Sequence, residues 1–498
     1  MRILLTLILT CLISHAAEKP NVIIIYADDL GYGDFSCYGA TGFKTPNCDK
    51  LAEQGIKFTD AHSPSAVCTP SRYGLLTGRY AWRTWMKNWV LQEHMPLLID
   101  SERFTLPKLF KQQGYTTGCI GKWHLGWGTK RHEDLSKPVT PGPNEVGFDY
   151  FFGPPHSHNS APAYQVFVRN NKVDGIKEGE NFKDPKVIKR LKRSLPDTAT
   201  ELSKEAVRWI TEHKDEPFFL YYPTTNIHFP LTPAKRFQGK TKTGKYGDFV
   251  YEFDWAVGEI LNTLDKLKLS DNTIVILSSD NGGEPYTVPI KGNNGKNPHR
   301  PNSNFRGKKA SIYEAGHRIP FIVRWPGKVK PNSTSAETIC HTDLLATFAA
   351  HFGTTLPNNA AEDSYNILPA ILAKPYQSPI REATVHHSVS GMFAIRKGDW
   401  KLIEGNTDGR RNPASMHAWN NAGGLPIIDE KTGEILLLDY ANIRDFDQKN
   451  PIYQLYNLKT DPQEKDNLAK SQPEKVKELA NLLEKYRNSG RSTPLIEK

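Results

Sequence analysis

Residues 21–33 read NVIIIYADDLGYG, and this stretch decides the fold that the sequence predicts. Its first six residues are rich in β-branched side chains, which is typical of a parallel strand buried on both faces. Further strands are predicted at residues 116–120, 217–222, 273–277 and 319–324. Helices are predicted at residues 45–55, 104–113, 201–213, 251–267 and 343–352. Strands that alternate with helices predict an α/β fold, with a mostly parallel mixed sheet sandwiched by helices.

The pattern changes after about Tyr376. Short antiparallel strands are predicted at residues 383–386, 392–396, 400–403 and 454–458, and a terminal helix at residues 473–488. Residues 405–450 are rich in glycine, asparagine and charge, which indicates a long loop. A chain of 498 residues is also long enough for two or more domains. We therefore predict a large domain over residues 18–375 and a small C-terminal α+β domain over residues 376–498.

The first 17 residues have the pattern of a secretory signal peptide. Arg2 supplies the positive charge, residues 3–13 are almost wholly apolar, and small residues lie at 14–16. The apolar run is too short to span a bilayer, and no other segment predicts a membrane span. We expect a secreted or periplasmic protein. Cys11 leaves with the signal peptide, and the few remaining cysteines do not make a disulfide framework, although Cys37 and Cys48 could either pair or stay free.

The formal net charge of +10 favours anionic partners, such as sulfated or phosphorylated molecules. The basic residues are spread along the chain, so a solvated surface accounts for most of this charge. No nucleic-acid-binding motif is present, and we expect no nucleic-acid partner. The composition is ordinary for a globular protein and argues against disorder.

Polar side chains follow several of the predicted strands at the point where each strand ends. They are Asp28 and Asp29, Lys122 and His124, His228, and Asp280 and Asn281. Ligands of open α/β sheets bind in the crevice outside the carboxyl ends of strands, so these side chains could converge there. The three carboxylates and one amide offer the oxygen ligands that Ca²⁺ needs. Each pair taken alone is also compatible with an ordinary polar turn.

A second stretch carries the functional signal. Residues 68–79 read CTPSRYGLLTGR, with Pro70 two residues after Cys68. An isolated cysteine here would be interpreted as a small buried thiol ahead of a helix. The whole string resembles the active-site signature of the type I sulfatases, an arylsulfatase-like family of the alkaline phosphatase superfamily. The resemblance implies that a maturation enzyme converts Cys68 to formylglycine, and that a large α/β domain carries a small C-terminal sheet.

Three further strings extend the resemblance. Residues 121–126 (GKWHLG) match the family string without a change, whereas residues 226–230 (NIHFP) have Ile227 where the family usually has proline. Residues 305–316 (FRGKKASIYEAG) resemble the family pattern R-G-x-K-x-x-x-[WY]-E-G-G, with Ala315 in place of its first glycine. Alignment on the glutamate makes Lys309, not Lys308, the catalytic lysine. If this segment is extended, neighbouring side chains point to opposite sides and only one lysine reaches the crevice.

The resemblance also implies roles for the residues. The proposed ligands of one Ca²⁺ ion are Asp28, Asp29, modified Cys68, Asp280 and Asn281. Arg72, Lys122 and Lys309 would neutralise the sulfate oxygens. His124 would hydrogen-bond the formylglycine hydroxyl, and His228 would protonate the leaving alcohol. One hydroxyl of the hydrated aldehyde would attack sulfur, and the second would allow sulfate to be expelled.

The sequence therefore predicts a sulfatase that acts on a sulfated carbohydrate or a small sulfate ester. Three alternatives stay open: a phosphate or phosphonate ester hydrolase of the same superfamily, a non-catalytic binder of sulfated glycans, and a protein that uses an unmodified Cys68 thiol. Residues 154–159 (PPHSHN) either line a substrate subsite or form an ordinary polar loop. The pair His386 and His387 carries the same ambiguity.

Overall fold

The structure is a computed structural model that describes residues 19–285, 299–410, 427–428, 435–436 and 452–495. The predicted signal peptide lies outside the described residues, and so does most of the predicted loop at 405–450.

The strands are β1 Asn21–Ala27, β2 Ile56–His62, β3 Thr116–Ile120, β4 Tyr150–Gly153, β5 Val168–Arg169, β6 Lys172–Val173, β7 Phe218–Pro223, β8 Thr273–Ser279, β9 Arg318–Arg324, β10 Ser333–Ser335, β11 Ile339–Cys340, β12 Thr384–His387, β13 Phe393–Lys397, β14 Trp400–Glu404, β15 Ile427–Ile428, β16 Ile435–Leu436 and β17 Tyr453–Asn457. The α-helices are α1 Pro46–Glu53, α2 Cys68–Thr77, α3 Leu106–Gln112, α4 Pro185–Leu191, α5 Thr198–Glu212, α6 Lys245–Lys266, α7 Glu314–His317, α8 Leu344–Phe352, α9 Leu368–Ile371 and α10 Pro473–Asn488.

The large sheet has the strand order β10-β2-β9-β8-β1-β7-β3-β4-β5-β6, with β11 paired to β2. Strand β1 is central and runs parallel to β7 and β8, so that Ile24 faces Tyr221 on one side and Ile276 on the other. Strand β9 is antiparallel to β2 and β8. The prediction of a mostly parallel mixed sheet is confirmed. Its antiparallel pairings are those of β9 with β2 and β8, and those of β5 with β4 and β6 at one edge.

Helices cover both faces of this sheet, which explains why β1 is a continuous apolar run. Val22, Ile24 and Tyr26 pack into one core cluster, which includes residues of α2, α3 and α8. Ile23 and Ile25 pack into the other, which includes residues of α1, α5 and α6. Successive side chains of a strand point to opposite faces, so a strand covered on both sides must be apolar throughout.

The C-terminal part forms a separate antiparallel sheet in the order β12-β13-β14-β17. Val385, Ile395 and Leu402 of this sheet pack with Leu479 and Leu483 of α10. This confirms the predicted small α+β unit with an antiparallel sheet. Arg396 of β13 ties it to the large body through Asp60, with Nη1 2.7 Å from Oδ1.

Some sequence expectations differ from the structure. Helix α6 begins at Lys245, six residues before the predicted start, because Tyr246, Phe249 and Val250 extend its buried face. The sequence left open whether Cys37 and Cys48 pair, and in the structure both are free thiols. Within the described ranges, no helix combines the length and apolar character that a membrane crossing requires.

Candidate active site

Cys68 is the first residue of α2, directly after the extended residue Val67. Its side chain is buried, and the ends of several strands of the large sheet surround it. Ligand atoms of Asp28, Asp29, Cys68 and His228 all lie within 4.8 Å of one another. The structure thus brings together residues that are 200 positions apart in sequence, as the crevice of a parallel sheet allows.

The acidic residues meet because β1 and β8 are parallel neighbours. Ala27 pairs with Ser279 at the ends of these strands, so Asp28 and Asp29 lie beside Asp280 and Asn281. The Asp29 amide donates to Asp280 Oδ1 at 3.1 Å, and Asn281 Nδ2 donates to Asp29 Oδ1 at 3.0 Å. The four side chains are fully buried.

The electrostatics of these four residues fit a hard divalent cation. Burial, followed by repulsion from Asp28, raises the pKa of Asp280 to about 6. The buried Oδ1 of Asn281 has no hydrogen-bond partner among the residues that the structure describes. Crowded carboxylates and an unpaired amide oxygen are the donor set that Ca²⁺ or Mg²⁺ takes, and a cation here would relieve the repulsion.

Three basic side chains surround the acidic group. Arg72, one turn after Cys68 on α2, donates from Nη2 to Asp280 Oδ2 at 2.8 Å. Lys122 Nζ lies 2.7 Å from Asp28 Oδ2, and Lys309 Nζ lies 2.6 Å from Asp29 Oδ1. Burial alone would raise the pKa of Asp29, but the charge of Lys309 holds it below its usual value.

The predicted histidines also lie at this site. His124 Nε2 is 3.0 Å from the Leu91 carbonyl oxygen and therefore donates to it, while its buried Nδ1 has no partner in the described part of the chain. His228 Nδ1 donates to the Phe229 carbonyl at 2.7 Å, and Nε2 lies 3.8 Å from Asp29 Oδ2. Burial, with Lys309 next, lowers the pKa of His228 to about 3, so its imidazole is neutral without substrate.

A pocket of ≈ 860 Å³ opens above these residues. Cys68, His124, His228 and Lys309 are among the residues that line it. Its volume lies in the range of small-molecule sites and leaves room for more than a sulfate group. All six predicted catalytic residues therefore lie at or just beneath one pocket; their roles stay predictions.

The expectation that only one of the two neighbouring lysines reaches the crevice is wrong. Lys308 and Lys309 both line the pocket. The segment is not extended: Lys308 and Lys309 lie in a turn in which the Ser311 amide donates to the Lys308 carbonyl at 3.0 Å. Lys308 Nζ lies 2.6 Å from Oε1 of Glu284, another pocket-lining residue. Lys309 is the lysine that contacts the acidic residues beside Cys68.

Sequence reasoning missed part of the pocket wall. The missed lining residues are Val67, Trp89, Val90, Leu91, Gln92, Glu93, Ser160, Glu284 and Val389. They belong to no recognised string, so no sequence signal could have found them. Residues 154–159, which the sequence left ambiguous, contribute His156, Ser157 and Asn159 to the pocket. His386 lies elsewhere, stacked on His317 with ring centroids 3.8 Å apart.

Fold and site together define an α/β enzyme for an anionic ester, and comparison with known proteins identifies its family. The family model described as sulfatase matches residues 20–354, and the one described as N-sulphoglucosamine sulphohydrolase, C-terminal, matches residues 307–411. The chain is 40% identical to N-acetylgalactosamine-6-O-sulfatase of Bacteroides thetaiotaomicron, over 94% of this chain and 93% of that protein. It is 34% identical to human arylsulfatase A, over 77% of this chain and 75% of that protein.

A solved structure from work on the metabolism of multiple glycosaminoglycans by Bacteroides thetaiotaomicron superimposes with a TM-score of 0.79. It is 37% identical and covers 95% of this chain and 100% of that chain. The chain belongs to the sulfatase family and is a sulfuric ester hydrolase.

Proposed function

We propose that this protein removes sulfate from a sulfated carbohydrate, with Cys68 converted to formylglycine and one Ca²⁺ ion bound. The observation that carries the proposal is the meeting of Cys68, the acidic residues and three basic side chains beside one pocket, which Cys68 and Lys309 line. The similarity to an N-acetylgalactosamine-6-O-sulfatase makes 6-O-sulfated N-acetylgalactosamine the first substrate to test.

The protonation state of the Cys68 thiol argues against catalysis by the unmodified side chain. Burial raises the pKa of Cys68 to about 11, so an unmodified thiol stays protonated at neutral pH. A protonated thiol is a poor nucleophile, which argues against a protein that uses Cys68 unmodified. A hydrated formylglycine would instead supply a hydroxyl nucleophile at this position.

The cation would be held by Asp28, Asp29, Asp280 and Asn281, next to residue 68. It would supply positive charge that orients the sulfate and stabilises its developing negative charge. Asn281 offers the clearest support, because its buried Oδ1 has no partner among the described residues.

The chain's own residues do the remaining work. Arg72, Lys122 and Lys309 already balance carboxylates at 2.6–2.8 Å, and bound sulfate oxygens would share these charges. Nδ1 of His124, which has no partner among the described residues, would accept a hydrogen bond from a hydroxyl on residue 68. His228 would donate a proton from Nε2 to the leaving alcohol, because its Nδ1 proton is held by the Phe229 carbonyl. An anionic substrate favours the protonated imidazole that this step needs.

The proposal extends to the organisation of the chain. Residues 1–17 are a signal peptide that directs the protein to the periplasm or outside the cell. Residues 18–375 carry the catalytic residues, and residues 376–498 form the C-terminal subdomain.

The test is a substrate panel measured on protein whose Cys68 modification has been established by mass spectrometry. We expect sulfate release from a 6-O-sulfated sugar and from an aryl sulfate, and slower release of phosphate from the matched aryl phosphate. Faster phosphate release would favour the phosphate or phosphonate ester hydrolase. Binding of sulfated glycans without any turnover by fully modified protein would favour the non-catalytic binder.

A further inference from the structure

The loop at residues 154–160, named here the His156 loop, lies between the two histidines of the site. The His124 backbone amide donates to the Pro155 carbonyl at 3.0 Å. At the other end, Ser157 Oγ lies 3.3 Å from His228 Nε2. The loop is therefore built into the site rather than being an independent surface loop.

Buried contacts fix the position of the His156 loop. Arg193, which is 4% exposed, donates to the His158 carbonyl at 3.0 Å. His158 Nε2 lies 2.8 Å from Thr232 Oγ1. A solvent-exposed bond adds to these contacts: Oε1 of the pocket-lining Glu93 accepts from the amide of Ala161, directly after the loop, at 2.9 Å. Side chains on a loop held in this way meet a ligand with little loss of conformational entropy.

His156 is the unusual residue of this loop. It lines the pocket, yet it is only 3% exposed, and its ring packs edge-on against Tyr164 at 5.7 Å. Its Nδ1 is buried and has no hydrogen-bond partner within the described ranges. A buried polar atom without a partner costs free energy and calls for an explanation. A substrate group in the pocket would provide the missing partner.

The charge state of His156 limits what that group can be. Burial lowers the pKa of His156 to about 3, so the ring is neutral near neutral pH. A neutral imidazole has one donor and one acceptor nitrogen, which suits a hydroxyl or an amide better than a second anion. Apolar residues Val67, Leu91 and Val389 also line the pocket and can pack against the carbon face of a sugar ring.

We propose that His156 is a specificity-determining residue that hydrogen-bonds a neutral hydroxyl or acetamido substituent of the sugar ring that carries the sulfate. The inference rests on the proposed sulfatase function and names the part of the substrate that His156 contacts.

The experiment compares the unaltered enzyme with His156→Phe and His156→Gln. Phenylalanine keeps an aromatic ring against Tyr164 and removes both nitrogens, whereas glutamine restores a donor and an acceptor. The measurement is kcat/KM for 6-O-sulfated N-acetylgalactosamine divided by kcat/KM for an aryl sulfate. We expect His156→Phe to lower this ratio by about tenfold or more, because a site built to hydrogen-bond its substrate discriminates strongly. His156→Gln should recover part of the loss.

The melting temperature separates this role from a structural one. It should stay constant or rise in His156→Phe, because an unpaired buried nitrogen is removed. His213→Phe, at the end of α5 and outside the pocket, is the matched control and should leave the ratio unchanged. An unchanged ratio in His156→Phe would overturn the role of His156 alone. Equal losses on both substrates would also overturn it, because they would mean that His156 supports the catalytic residues. An unaltered enzyme that cleaves the aryl sulfate but no sulfated sugar would overturn the proposed substrate class as well.

Discussion

The neighbouring residues Lys308 and Lys309 contact different partners, so replacing each by alanine tests the catalytic assignment. Lys309 Nζ lies 2.6 Å from Asp29 Oδ1, and its side chain is 15% exposed. Lys308 Nζ lies 2.6 Å from Glu284 Oε1, with the two side chains 32% and 17% exposed. Lys309 therefore contacts one of the acidic residues beside Cys68, whereas Lys308 contacts Glu284.

We expect Lys309→Ala to lower kcat/KM by about 10²- to 10³-fold, because losing one preorganised charge at a transition state costs roughly 3–4 kcal/mol. Lys308→Ala should change kcat/KM by less than about fivefold. Its ion pair is accessible to solvent, and such pairs contribute about 1 kcal/mol or less. The two losses should therefore differ by more than about tenfold.

Steady-state kinetics on a small aryl sulfate measure both variants without contributions from sugar contacts. Cys68 modification and metal content must be equal in the preparations, so both are quantified first. A loss in Lys308→Ala that equals or exceeds the loss in Lys309→Ala would refute the assignment. It would show that Lys308 supplies the charge that stabilises the transition state.

Two further predictions concern the metal and pH. Asn281→Ala should lower bound Ca²⁺, measured by elemental analysis, together with activity. Chelation of the unaltered enzyme should abolish activity, and a fully active protein without metal would contradict the site. His62, His317 and His386 are buried, and burial lowers the pKa of each below its usual value. The three imidazoles are neutral in the folded protein, whereas in the unfolded chain they bind protons below a pH of about 6.5. The free energy of unfolding is therefore unaffected by them above that pH and falls below it, by up to about 1.4 kcal/mol per histidine per pH unit. Melting temperatures between pH 7.5 and 5 test this, and a flat or rising stability toward acid would contradict it.

The sequence predicted the central sheet and the acidic residues well, for a physical reason. An apolar run such as residues 21–26 must be a strand covered on both faces, and its polar end must lie at the sheet edge. Because β1 and β8 are parallel neighbours, Asp28 and Asp280 meet there. The antiparallel direction of β9 could not be predicted, because the apolar composition of a strand is the same whichever way the strand runs.

Several residues of the pocket wall could not be predicted from the sequence. Trp89 and Glu93 reach the pocket only through the path of their loop, which no periodic pattern encodes. Both lysines of the pair at 308 and 309 line the pocket from a turn closed by the Ser311 amide, and Ala310 of this turn has a positive φ that its sequence does not signal. These features depend on tertiary contacts rather than on local preference.

The central claim is that turnover depends on formylglycine at position 68. The most direct measurement is mass spectrometry of the peptide that contains Cys68, made on preparations with different extents of modification and known specific activity. We expect activity to rise in proportion to the formylglycine fraction and to vanish when Cys68 is entirely unmodified. Full activity in protein whose Cys68 is entirely unmodified would contradict it.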